Sequence, residues 1–275
     1  MSYNFVIAIP SYHRSQSIKD NTLRVLDECS VPHNLIKVFV SKAEVPIYRA
    51  SLPADIEVVE SVLGCIENRA RIRAYFPEGQ HVVYMDDDLK GIYSICDFTD
   101  DHKSCHIFRK ENVKEPFYKK QIPIPNLLKF LADGFDILIK EQAHFGGIYP
   151  ISNGFFCSHR YTTDLRYICG GLYFEINIKD FALQGDQYSE DFERTCKFFD
   201  LDKKVIRFEY CILKTGYYKG DGDNGSPGGL VESRTIELSE LAQKKLAGMY
   251  PEYLNVVPPT KGNHYWNLKI KKQKK

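Results

Sequence analysis

Val82-Val83-Tyr84-Met85-Asp86-Asp87-Asp88-Leu89 is an apolar run of strand character that ends in three consecutive carboxylates. Such a terminus sets hard oxygen ligands at the edge of a sheet. Two carboxylates two residues apart suit Mg²⁺ or Mn²⁺ rather than a thiolate-loving metal. Taken alone, the triplet reads equally as a solvated acidic turn, and the surrounding chain has to decide between the two.

Upstream, strand and helix signals alternate. Phe5-Val6-Ile7-Ala8-Ile9-Pro10 is a short continuous apolar run of the kind buried in a parallel sheet, and it stops at a proline that cannot donate to a ladder. Ile18, Thr22, Val25, Leu26 and Cys29 then fall on one helical face, with Ser15 or Ser17 available as cap. Residues 36–40 and 56–59 read as further strands. Residues 65–76 carry a helical pattern that Pro77-Glu78-Gly79 breaks, and 81–85 is the fourth strand. Strands separated by helices imply βαβ units, a mainly parallel sheet, and ligands gathered at the strands' carboxyl ends. Pro10-Ser11, Ser41 to Glu44 and Asp86 to Asp88 all fall at such ends.

Downstream the pattern loosens. A strand is expected over 91–96, an irregular charged segment over 97–122, a helix over 124–140 with Leu127, Leu128, Leu131 and Phe135, strands over 167–178 and 204–213, and a helix over 189–199. Residues 215–229 hold six glycines and read as a mobile loop. No internal repeat or Gly/Ser linker divides the 275 residues, so one α/β domain is expected over 1–275.

Composition narrows the classes. Lysine and arginine number 37 against 36 acidic residues, which excludes a strongly basic or acidic body. No stretch approaches membrane-spanning length and no leader-like segment opens the chain, so a cytoplasmic protein, in the host cytoplasm if viral, without a membrane partner is expected. Eight scattered cysteines without a CxxC pair read as reduced thiols, several of them core fillers. Cys96, Cys105 and His106 lack the fourth ligand and spacing of a zinc site.

Ile9-Pro10-Ser11-Tyr12-His13-Arg14, Glu44-Val45-Pro46-Ile47-Tyr48, Gly64 with Asn68-Arg69, and Tyr84-Met85-Asp86-Asp87-Asp88 occur in an order that resembles nucleotide-sugar glycosyltransferases of the GT-A fold. More narrowly, the order is similar to the glycosyltransferases associated with TET/JBP-type oxygenases in phages and other viruses, which act on hydroxymethylated pyrimidines in DNA. The likeness covers about residues 5–95. It implies a Rossmann-like, mixed but mainly parallel sheet flanked by helices. Residues 1–95 would be the nucleotide-sugar half and 140–275 the acceptor half. The implied partners are Mn²⁺ or Mg²⁺, a nucleotide-sugar such as a UDP-sugar, and modified DNA.

Under this resemblance Asp86 lies near the ribose or the metal, Asp88 ligates the metal through its Asp-x-Asp spacing, and Asp87 is an auxiliary ligand or an orienting group. Pro10 and Ser11 line the base pocket through backbone groups, Tyr12 stacks on the base or packs on the first helix, and Glu44 accepts from base or ribose unless it is an exposed helix start. Arg14 reaches phosphates or carboxylates. Asn68 and Arg69 belong to the donor site. Arg73 shares the Arg69 face while Arg71 points elsewhere; surface salt bridges, to Glu60 or Glu67 for example, are the other reading of both.

Asp191, or second to it Glu190, is the implied base for the acceptor hydroxyl, although Ser189-Glu190-Asp191 also reads as an ordinary capped acidic helix start. His264 is the implied third metal ligand or a diphosphate contact, against the structural role a lone histidine more often has. The aromatics and arginines between 144 and 177 contact bases and phosphates if they line a cleft, though most should be core. The tail 269–275 is either a DNA contact or solubilising. The rival functions are transfer to a glycan or protein hydroxyl, metal-dependent nucleotidyl transfer, and a non-catalytic nucleic-acid-binding module.

Overall fold

The computed structural model describes residues 3–94, 122–124, 126–151, 157–215, 235–260 and 265–273. The strands are β1 Phe5–Pro10, β2 Ile36–Ser41, β3 Glu57–Ser61, β4 His81–Met85, β5 Leu89–Ser94, β6 Ile122–Pro123, β7 Phe145–Tyr149, β8 Tyr161–Thr162, β9 Leu172–Ile176, β10 Ile206–Thr215, β11 Leu254–Val257 and β12 Asn267–Ile270. The α-helices are α1 Ser15–Ile18, α2 Arg24–Glu28, α3 Val45–Ser51, α4 Cys65–Tyr75, α5 Leu127–Glu141, α6 Glu190–Asp202 and α7 Ile236–Met249. A π-helical turn, Lys19–Leu23, joins α1 to α2.

One large mixed sheet runs β3-β2-β1-β4-β9-β7-β10-β5-β6, with β8 paired to β10 and a separate β11-β12 hairpin. The first four strands in that order are mutually parallel, and β9 is antiparallel to both β4 and β7. The fold is therefore α/β with a parallel core, as expected from the alternation of strand and helix signals.

The continuous apolar runs arise because both sheet faces are covered. Ile7, Ile9, Val38, Val40, Val83 and Met85 pack into one core, with Leu23, Leu26 and the α5 residues Leu127, Leu131 and Phe135. Their neighbours Ala8, Phe39, Val82 and Tyr84 point the other way, onto Ile72 of α4 and Phe198 of α6. Each of the Val, Leu, Ile, Phe and Met side chains among these contributes about 1.5–3 kcal/mol by leaving water, and a one-residue register slip would turn each strand's side chains to the opposite face.

Several boundaries differ from expectation. Ser15 and Ser17 lie inside the first helical turn and do not cap it; Arg14 holds the N-cap position and its side chain makes no capping bond there. Ser189 occupies the N-cap of α6, but its side chain makes no capping bond. Only Leu172–Ile176 of the 167–178 segment is strand, because the residues before it serve the site described below. The 14-residue α7 was not anticipated. It has Ser239, Ala242, Gln243 and Leu246 on its buried side, so the apolar stripe is too interrupted by polar residues to announce itself. Of the described cysteines, Cys157, Cys169, Cys196 and Cys211 are buried, while Cys29 and Cys65 are half-buried.

His33, just before β2, bridges two carboxylates, with Nε2 on Asp27 Oδ1 and Nδ1 on Asp55 Oδ1, each at 2.8 Å. The hydrogen bonds to Asp55 and then Asp27 raise its pKa against a small opposing effect of burial. A raised histidine pKa adds stability that is fully present below the unfolded value and is lost as pH rises through the folded one. His33→Gln is thus expected to lower the urea midpoint more at pH 5.5 than at pH 8.5. Equal losses at both pH values would refute the charged bridge.

Candidate functional site

The parallel arrangement of β1, β2 and β4 brings Ser11, Ser41–Glu44 and Asp86–Asp88 to one edge of the sheet. The chain after β1 turns through His13, whose φ of 55° lies in the left-handed region unusual for a non-glycine residue. Glu44 Oε1 holds this turn by accepting from His13 N at 2.6 Å, while Oε2 accepts from Ser41 Oγ at 2.8 Å. Glu44 is 4% exposed. It is buried rather than an exposed helix start, and each of its oxygens takes one bond that shapes the loop.

The three aspartates are not equivalent. Asp87 points inward: Oδ2 accepts from Ser11 Oγ at 2.5 Å and Oδ1 from Arg14 Nη1 at 2.8 Å. Ser11 also meets the Tyr48 hydroxyl at 2.7 Å. Since the single Ser11 proton goes to the carboxylate, Tyr48 is the donor in that pair. Tyr48 in turn accepts from Arg14 N at 3.0 Å, and burial pushes its hydroxyl up to about 12. Asp87 is therefore the orienting group rather than a solvent-exposed residue. Ser11, 5% exposed, turns its side chain into this chain of bonds, and its amide donates to Phe39 O at 3.0 Å.

Asp86 and Asp88 remain open, their side chains 37% and 23% exposed. Thr22 pins the turn between them by donating to Asp86 O at 2.7 Å and accepting from Leu89 N at 3.0 Å. The Asp86 amide donates to Gly171 O at 3.1 Å. Its carboxyl sits in a recess of the sheet edge. Burial there, opposed by Arg69 and reinforced by repulsion from Asp88, Asp87 and Glu190, pushes it up to about 7. Asp88 is raised by burial and by Asp87, against the pull of Arg14, which lies 3.6 Å away. Crowded like charges that stay accessible are what a cation relieves.

α4 delivers the cations. Gly64 at its N-cap has φ +105°, a conformation that strains other residues. Arg69 and Arg73 face inward and Arg71 outward, as their spacing requires. Arg69, 5% exposed, donates to Asp86 Oδ1 at 3.2 Å and to the Tyr173 hydroxyl at 2.9 Å. Its Nε lies 3.3 Å from Glu190 Oε1, close enough for ion pairing but without hydrogen-bond alignment. Arg69 thereby joins the acidic turn to the start of α6. Arg73 forms a two-pronged pair with Glu175 on β9, at 2.6 and 2.9 Å, and not with Glu60 or Glu67. Asn68 is likewise internal: Oδ1 accepts from Ser61 Oγ at 2.7 Å and Nδ2 donates to Phe39 O at 3.3 Å, clipping β3 to β2. It is a scaffold residue rather than a donor-site contact. Pro10 ends β1 opposite Phe39, and Tyr12 stacks on His13 with centroids 3.8 Å apart.

On α6, Glu190 and Asp191 are held in contrasting states. Glu190 is 6% exposed and bound by Arg194 Nη1 at 2.5 Å. Burial pushes its carboxyl up, but Arg194, Arg69 and Arg73 outweigh that and hold it below the usual range. A carboxylate so firmly ionised and enclosed is a poor proton acceptor. Asp191 is half-buried and accepts from the Tyr167 hydroxyl and from Phe192 N. Burial, then repulsion from Glu190, raises it despite Tyr167 and Arg194. Of the two, Asp191 has the properties of a general base.

Among the described residues, no group of three His, Cys, Asp or Glu converges as a metal set. His264, the loop from 216 to 229, and Cys96, Cys105 and His106 lie outside those residues. Asp86 and Asp88 nonetheless supply the accessible hard-oxygen pair that suits Mg²⁺ or Mn²⁺ completed by waters or phosphate oxygens. Tyr48, Thr22 and Arg194 were not anticipated as site residues. Thr22 left a trace, as the one polar position on an apolar helical face. Phe145, Tyr173 and Phe174 are fully buried core, while Tyr161 and Tyr167 are half-buried and Arg160 is exposed.

No protein-family model matches the chain, and no curated protein matches it. Among solved structures it is similar to one described as the crystal structure of a mycobacterial protein, at 12% identity and a TM-score of 0.44, with 98% of this chain and 84% of that chain covered. No helix among the described residues is long and apolar enough to cross a membrane.

Proposed function

We propose that this chain is a metal-dependent glycosyltransferase of GT-A type that moves a sugar from a nucleotide-sugar, UDP-linked in the first instance, to a hydroxyl acceptor. The observation that carries the reading is the division of labour within the acidic turn. Asp87 is fixed inward by Ser11 and Arg14, while Asp86 and Asp88 stay accessible at the carboxyl edge of the parallel strands. The run of four parallel strands followed by a reversed β9 supports the GT-A assignment. The acceptor in this reading, a 5-hydroxymethylpyrimidine of phage or viral DNA, rests on the resemblance in motif order and on the lysines near the end of the chain.

In this mechanism Asp86 and Asp88 would hold Mn²⁺ or Mg²⁺, which when bound would supply positive charge for the departing diphosphate. Arg69 keeps the Asp86 carboxylate in place and links it to the helix that carries the base. Asp191 takes the proton from the acceptor hydroxyl. The acceptor oxygen then bonds to the anomeric carbon as the bond from that carbon to the diphosphate breaks, with inversion, and the electron pair leaves on the diphosphate. Glu190 stays paired with Arg194 and Arg69, giving the base helix a fixed start.

Incubation with Mn²⁺ and a panel of nucleotide-sugars, with and without hydroxymethylated DNA, tests the proposal by product mass. Expected are release of the nucleoside diphosphate and a DNA product heavier by one sugar, both abolished by EDTA. Transfer to oligosaccharides alone would remove the DNA acceptor. Release of pyrophosphate with the nucleotide joined to the acceptor would replace the reading with nucleotidyl transfer. Consumption of no donor at all would sink it.

A further inference from the structure

The segment 167–171 is tied at its two ends to the two halves of the site. Gly171 O accepts the Asp86 amide at 3.1 Å. At the other end Ile168 N donates to Thr195 Oγ1 at 3.3 Å, and that hydroxyl donates to Asp191 O at 2.7 Å. Tyr167 itself is held in three ways. Its ring stacks on Phe192 with centroids 4.2 Å apart and planes 25° from parallel. Its carbonyl accepts from Arg207 Nη1 at 3.3 Å, and its hydroxyl donates to Asp191 Oδ2.

A tyrosine fixed by its ring and carbonyl can present its hydroxyl in only a narrow range of directions. The carboxylate that accepts from it inherits that restriction. Asp191 Oδ1 is fixed in the same way by Phe192 N at 2.9 Å. Each oxygen then carries one hydrogen bond and keeps further acceptor capacity for an incoming hydroxyl.

We infer that Tyr167 is the positioning residue for Asp191, setting the orientation in which that carboxylate meets the acceptor hydroxyl. This inference rests on the glycosyltransferase reading with Asp191 as base. Tyr167 touches no reacting atom; it acts through the carboxylate. The charged and titratable groups around Asp191 are Glu190 and Arg194 from its own helix and Tyr167 and Cys169 from the preceding segment, with Arg207 behind the Tyr167 carbonyl. Of these, Tyr167 is the one whose hydroxyl can be deleted without disturbing a charge, since phenylalanine keeps the ring stack and the backbone bond. Loss of a donor to an ionised carboxylate raises the carboxyl pKa.

The test pairs a direct titration with a rate profile. In protein carrying ¹³C-carboxyl aspartate, with the Asp191 signal assigned through Asp191→Asn, the midpoint in Tyr167→Phe is expected about one pH unit above wild type. The acid limb of the pH profile for sugar transfer should move up in step, with a loss of about tenfold below that limb and less at alkaline pH. Thr195→Val, which removes a backbone pin but no bond to the carboxylate, should leave both midpoints in place. An unmoved NMR midpoint in Tyr167→Phe would overturn the inference whatever the activity. A midpoint that moves while the acid limb stays fixed would overturn it too, by separating Asp191 from the proton transfer. A moved midpoint in a protein whose wild type transfers no sugar would instead overturn the proposed function, and the positioning role with it.

Discussion

Asp88→Ala is expected to lower sugar transfer by about 10²- to 10³-fold at saturating nucleotide-sugar, the scale on which a positioned electrostatic stabiliser of a leaving group acts. Thermal stability should be retained or raised. Asp88 is one of three crowded carboxylates, and its closest cation, Arg14 at 3.6 Å, is already engaged at 2.8 Å by Asp87. Removing it relieves repulsion without stranding a partner. Asp87→Ala should behave in the opposite way. It removes the carboxylate to which both Arg14 and Ser11 donate, in a site where both Arg14 and Asp87 are largely covered. The expected cost is about 2–4 kcal/mol in a denaturation experiment, with activity falling as the loop loosens. Initial rates against Mn²⁺ concentration and urea midpoints for the two variants separate these outcomes. Undiminished, equally Mn²⁺-dependent transfer by Asp88→Ala would remove this residue from the metal site.

Arg73→Met is expected to destabilise the fold by about 3–5 kcal/mol, the largest stability effect anticipated for a single side chain here. Arg73 and Glu175 have side chains 2% and 0% exposed and are joined by two hydrogen bonds. The methionine fills much of the arginine volume and keeps the contact to the Phe181 ring, over which the guanidinium lies at 4.9 Å. Its cost is therefore that of a carboxylate left buried without a counterion. Arg73→Met combined with Glu175→Gln should recover a large part of the loss, since no charge is then left uncompensated. Guanidinium denaturation of the wild type, both single variants and the double variant closes the cycle. Additive losses would show that the pair is not coupled.

The legible part of the site followed from strand ends. Apolar runs at 5–10, 36–40 and 81–85, each stopping at a proline or polar residue, locate the carboxyl edge because a strand buried on both faces must end where its apolar residues end. The spacing of Arg69, Arg71 and Arg73 likewise sorted the inward pair from the outward member. Roles inside the site were less legible. The side chains of Glu44 and Asn68 were expected to face a nucleotide, and they hold the turn after β1 and clip β3 to β2. Hydrogen-bonding side chains of those types serve either purpose equally well, and the choice depends on which neighbouring backbone amide or hydroxyl lies within about 3 Å.

The sequence by itself determined the α/β class, the four parallel strands and the placement of the acidic triplet at their common edge. These depend on local periodicity and on burial, both written along the chain. Only the tertiary structure decided which of Asp86, Asp87 and Asp88 turns inward, that Arg73 pairs with Glu175 across 102 residues, and that Tyr167 meets Asp191. Long-range charge and hydrogen-bond partners leave no periodic trace. They are chosen by the geometry that sheet pairing and helix packing impose after the local elements have formed.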